Sequence, residues 1–123
     1  MDTRSKILSQ ALPPPCLGQL HVVRGWFDVL TADICRVLLE AKPAGGSLLA
    51  LVYRESDARP APLTAYDRAQ MVAALDCVDY VYVCDPADAG AAVADLGAHA
   101  DFDVELSTER DVVRDVLQLH GQR

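Results

Sequence analysis

The sequence predicts an α/β protein: a single domain on a parallel sheet of four to five strands, with helices on both faces. Three observations carry this. Short apolar runs, LHVVR at residues 20–24, SLLALVY at 47–53 and DYVYVC at 79–84, recur along the chain. Stretches with helical spacing of apolar residues separate them. SLLALVY is apolar throughout rather than alternating, as strands buried on both faces are. Strand alternating with helix calls for a parallel sheet with right-handed crossovers.

Each element follows in order. Residues 1–19 read as an N-terminal segment with a stiff connector, because Pro13, Pro14 and Pro15 suit neither a helix interior nor a central strand. The domain is expected over residues 20–123. The spacing of Ile34, Val37, Leu38 and Ala41 predicts a helix over residues 31–42, capped by Thr31 and ended by Pro43, Gly45 and Gly46. SLLALVY is the second strand, and the three strands are expected to be neighbours and buried. A second helix is predicted over residues 64–76, with Thr64 as its cap and Asp67 three positions on. After the third strand, Asp85 and Pro86 suit an N-cap and a first helical position, opening an Ala-rich helix that stops near Gly97. FDVEL, residues 102–106, is a short further strand. Ser107 and Thr108 then open a last helix, striped by Val112, Val113, Val116 and Leu119.

Composition narrows the function. The 123 residues suffice for one domain, and 51% are hydrophobic, so a core can form. A formal net charge of −7 argues against nucleic acid and anionic membranes, which are held mainly by Lys and Arg. No apolar run approaches the roughly 18 residues of a membrane span, and the N-terminus has no long apolar signal region. A cytoplasmic location is expected. Cys16, Cys35, Cys77 and Cys84 form no CxxC and read as ordinary thiols. His21, His99 and His120 are too scattered for a metal site, and no metal is assigned. Asp85 and Asp88 suit helix N-terminal charges better than an acid/base pair. Ser107 lacks the elbow and third partner of a nucleophile.

In such sheets ligands bind beyond the carboxyl ends of strands, at the switch point. The stretch GWFDVLTADI, residues 25–34, occupies that place. It holds no Lys, Arg or His, and it carries acidic residues where an anion would sit.

Several segments together resemble the HxGH nucleotidyltransferases, a cytidylyltransferase-like superfamily. The heptose-phosphate adenylyltransferase domain is the nearest pattern, with glycerol-phosphate cytidylyltransferases further off. Residues 24–34, RGWFDVLTADI, resemble the family's NGCFDxxHxGH turn. RPAPLTAYDRAQMVAALDCVDYVYV resembles its RP…ER…LxALxxVDxV segment, through Arg59, Pro60, Arg68, Ala74, Leu75, Val78 and Asp79. LSTERDVV resembles its STT-type helix start, and SKILS its opening segment. The likeness covers most of residues 5–85 and, more weakly, 105–119.

The resemblance implies a Rossmann-like fold and transfer of AMP or CMP from a nucleoside triphosphate, with Mg2+, to a sugar- or polyol-phosphate. It also implies dimers. The departures fall on the chemistry. The family's two histidines match Thr31 and Ile34, and the glycine between them matches Asp33. Ile34 has no side-chain donor, and Asp33 adds a negative charge. Loss of one donor of this kind typically costs about 10²–10³ in rate. The family's KGGDY-like lysine has no counterpart, since Lys6 and Lys42 are the only lysines. No catalytic residue is therefore assigned. Remaining candidates for a nucleotide or phosphate are Arg24, Gly25, Phe27, Asp28, Arg59, Arg68, Ser107, Thr108 and Arg110. Each has a plainer reading. Asp28 can fix the turn, Trp26 fill the core, Arg59 and Arg68 be solvated charges, and Ser107 and Thr108 be caps.

The expectation is a degenerate nucleotidyltransferase-like protein, a non-catalytic binding or assembly subunit, alone as a homodimer or beside an intact homologue. The alternative is an active nucleotidyltransferase in which Arg24, Thr31, Arg59, Arg68, Ser107 and Thr108 share the phosphates. A third reading is an unrelated α/β interaction domain.

Overall fold

The computed structural model describes residues 2–28, 30–57 and 60–104. Four parallel strands form one sheet: β1 (Leu20–Gly25), β2 (Ser47–Tyr53), β3 (Tyr80–Cys84) and β4 (Ala100–Asp103), in the order β3-β2-β1-β4. The helices are α1 (Ala32–Ala41), α2 (Ala65–Ala73) and α3 (Ala89–Leu96). The fold is the predicted Rossmann-like α/β domain, and the first three predicted strands are neighbours.

Register explains why the strands read as they do. Val23, Ala50, Val52 and Val81 face α1 and α2, in one core cluster with Val37, Leu38, Ala69 and Val72. Val22, Leu49 and Leu51 face the other way, toward Ala89, Ala92 and Leu96 of α3. Leu48 through Val52 have no accessible surface, so β2 needs apolar residues at successive positions. β3 is only half-buried because it is an outer strand. The N-terminal segment lies along it. Leu8 N–H donates to the Val81 carbonyl at 2.7 Å, and Lys6 Nζ donates to the carbonyls of Leu75 (3.2 Å) and Val78 (2.7 Å).

Both threonine caps form: Thr31 Oγ1 accepts from Ile34 N–H at 3.2 Å, and Thr64 Oγ1 from Asp67 N–H at 3.1 Å. Three expectations need correction. α2 ends at Ala73 rather than at residue 76, its chain tightening as Leu75 N–H bonds the Val72 carbonyl. Asp85 takes the N-cap position of a 3-10 turn, Pro86–Asp88, with Pro86 in its first turn, but that turn only leads into α3 and the Asp85 side chain makes no capping bond; it pairs with Arg54 at 3.2 Å. The fourth strand begins two residues before the predicted position. Gly97 ends α3 in the left-handed region (φ 74°), and the ladder starts at once, with His99 N–H on the Leu20 carbonyl at 2.8 Å. Asp101 and Asp103 alternate with Phe102 and Val104, which suits an outer strand packed on one face. This strand occupies the place beside β1, across the point where strand order reverses. The predicted last helix lies outside the described residues.

Candidate functional site

The carboxyl edge of β1 and β4 is the switch point of this sheet. β1 leaves it through the turn GWFD. Phe27 has a positive φ of 50° and is 1% exposed, so a bulky side chain is held in the core by a backbone conformation such residues rarely adopt. Trp26 meets the Tyr53 ring edge-on, with centroids 5.2 Å apart. Gly25 is buried, and Asp28 is half-buried.

The turn is clamped from below. Arg68 of α2 has no exposed surface. Its Nη1 donates to the carbonyls of Trp26 and Tyr53, the latter at 2.9 Å, its Nε to that of Leu63 at 3.2 Å, and its Nη2 to Glu55 Oε2 at 2.5 Å. Thus it ties the ends of β1 and β2 to the start of α2. The Glu55 carboxyl is held below the usual range by its own backbone N–H first, and by Arg68 against the opposing effect of burial. The expectation of Arg68 as a solvated charge is corrected: the side chain is fully buried and makes four intramolecular hydrogen bonds.

α1 begins at this edge. Thr31 Oγ1 accepts the Ile34 N–H as the cap, keeping its single O–H as a donor. Asp33 accepts from Arg36 Nη2 at 2.7 Å, in an exposed pair one turn apart. Ile34 is 5% exposed, packed in the core with Val37 and Leu38. The three positions therefore offer a capping oxygen, a carboxylate and a core methyl group, with no side-chain N–H toward an anion.

Arg24 stands apart from them. It is in register with Leu51 and Asp103, which puts its side chain on the α3 face, while α1 covers the other. Its Nη2 lies 3.3 Å from Asp101, and its Nε is buried without a hydrogen-bond partner among the described residues. Asp103 accepts from the Tyr53 hydroxyl at 2.8 Å. Burial, then the Asp103 carboxylate, pushes the Tyr53 phenol above its ordinary range. Burial also raises the Asp101 carboxyl, and Arg24 opposes it.

The structure thus gathers Gly25, Phe27, Asp28, Thr31 and Asp33 around one turn and places Arg24 on the far face. Arg59, Ser107, Thr108 and Arg110 lie outside the described residues. The sequence reading missed Tyr53, Glu55, Asp101 and Asp103. The period-two spacing of Asp101 and Asp103 beside a strand was the available signal. For Glu55 there was none, because only the fold brings it to Arg68. Among the described residues no group of three or more His, Cys, Asp or Glu could hold a metal.

No protein-family model matches the sequence, and no curated protein does. Among solved structures, the chain is similar to a lipopolysaccharide core biosynthesis protein from Thermoplasma volcanium. The two are 21% identical, with a TM-score of 0.63 over 83% of this chain and 88% of the other. The likeness is one of fold: the same Rossmann-like α/β architecture across nearly the full length of both.

Proposed function

We propose that this chain is a nucleotidyltransferase-like protein that no longer transfers nucleotidyl groups and serves as a binding or assembly subunit. The first turn of α1 carries the reading. Family histidines there would donate hydrogen bonds to a triphosphate, but Thr31 caps its own helix, Asp33 is ion-paired and Ile34 is packed in the core. The Arg68 network supports it too, since that guanidinium is not available to phosphate. The fold shared with a lipopolysaccharide core biosynthesis protein supports a sugar-linked setting, with a nucleotide or sugar phosphate as ligand. A cytoplasmic homodimer, or a complex with an intact homologue, is the corresponding assembly.

The alternative is an active enzyme moving AMP or CMP to a sugar- or polyol-phosphate. Calorimetry with ATP and CTP, with and without Mg2+, separates the two. Dissociation constants of about a millimolar or weaker, some 4 kcal/mol, fit the first reading. Micromolar binding, or pyrophosphate release with a sugar phosphate present, establishes the second.

A further inference from the structure

A separate cavity of about 470 Å³ opens where β2 and β3 end, between the N-terminal segment and the start of α2. That volume lies within the roughly 300–1,000 Å³ usual for small-molecule sites. Its polar walls are Ser9, Arg54, Glu55 and Thr64, and its aromatic ones Tyr66 and Tyr82. None of the residues around α1's first turn lines it.

We propose that this cavity binds a small uncharged polyhydroxylated molecule, a monosaccharide or a polyol. Charge comes first. The lining carries one cation, Arg54, and one anion, Glu55. Each is already paired: Arg54 with Asp85 at 3.2 Å, Glu55 with Arg68 at 2.5 Å. No uncompensated charge awaits an ionic ligand.

An anion is opposed further. The Glu55 carboxylate lines the cavity beside Thr64 and Ala65 at the start of α2, where a phosphate would otherwise lodge. Asp85, Asp88 and Asp95 line an adjoining cavity that shares Arg54. An organic cation meets Arg54 in the wall. A wholly apolar ligand would strand polar groups against it, which costs free energy. Hydroxyl groups suit the mixture, since each both donates and accepts, and Arg54, Glu55, Ser9, Thr64 and the two phenols supply both functions. The tyrosines add apolar ring surface for the C–H faces of such a molecule.

The test is saturation-transfer NMR on the full chain, with D-glucose and myo-inositol as neutral probes. Glucose 6-phosphate, choline and benzoate serve as charged ones. At least one neutral probe should take up saturation with millimolar affinity, at least threefold tighter than any charged probe. Tyr66→Ala and Arg54→Gln should each weaken it at least fivefold. Both side chains are more than half exposed, so neither change opens the core. Asp33→Asn, at the α1 turn, should leave it unchanged. Absence of transfer to both neutral probes, preference for a charged one, or affinity indifferent to both cavity variants would overturn the proposal. Because ATP and CTP binding is read at the other site, either proposal can fail alone.

Discussion

The guanidinium of Arg68 donates to the carbonyl of Trp26, joining α2 to a turn 42 residues earlier in the chain. With Tyr53 and Leu63 as further acceptors, one side chain satisfies three backbone carbonyls at the edge where a ligand would enter. Arg68→Leu removes all of these bonds and leaves Glu55 without its ion partner. Because Glu55 keeps contact with solvent, the larger cost is the three carbonyls left without a donor, about 1–3 kcal/mol for each that stays dry, and a loss of several kcal/mol in urea unfolding is expected. Arg68→Lys should recover only part of it, because an ammonium cannot reproduce the planar fork.

The pairing also sets a pH dependence. The folded Glu55 pKa is depressed, so its contribution is present above the unfolded value, near 4.5, and is lost as pH falls through the folded one. Glu55→Gln should therefore lower stability at pH 7. The gap from the unaltered protein should narrow steadily below about pH 4.5. A gap that stays constant down to pH 2 would contradict this account.

Thr31 is a cap before it is anything else. Thr31→Ala should cost about 1 kcal/mol, and Thr31→Ser much less, by chemical denaturation. If Thr31 served only a ligand, neither change would register in the free protein.

At the first turn of α1, the Asp33 charge opposes an anion. Asp33→Asn should tighten ATP binding about fivefold, roughly 1 kcal/mol, read by calorimetry at low ionic strength. Restoring a histidine at position 34 is a different matter. Ile34 is 5% exposed, so Ile34→His buries an imidazole in the core. That change should destabilise the fold by several kcal/mol without improving affinity. Thr31→His with Asp33→Gly is the cleaner restoration.

The fold was largely legible because its signals are local. SLLALVY announces a strand buried on both faces, and Thr31 and Thr64 announce caps that form as read. Errors clustered where tertiary contacts decide. Asp85 sits at a cap position but its carboxylate goes to Arg54, and β4 starts early because β1 offers the Leu20 carbonyl. The site was harder. Arg68 reads as a surface charge in a helix, and nothing in its neighbourhood announces Glu55 or three waiting carbonyls. Arg24 and Asp101 are far apart in the chain, and only strand order makes them partners.

The N-terminal segment has a consequence for how the chain assembles. Lys6 finds its acceptors at Leu75 and Val78, and Leu8 finds its own at Val81. On the ribosome these residues emerge long before any of those acceptors exist. They must wait, unpaired, until the third strand has left the tunnel and joined the second. Closing so long a loop costs entropy that only a formed sheet can offset. A segment made early thus docks late, sealing an outer strand that is itself made some seventy residues afterwards.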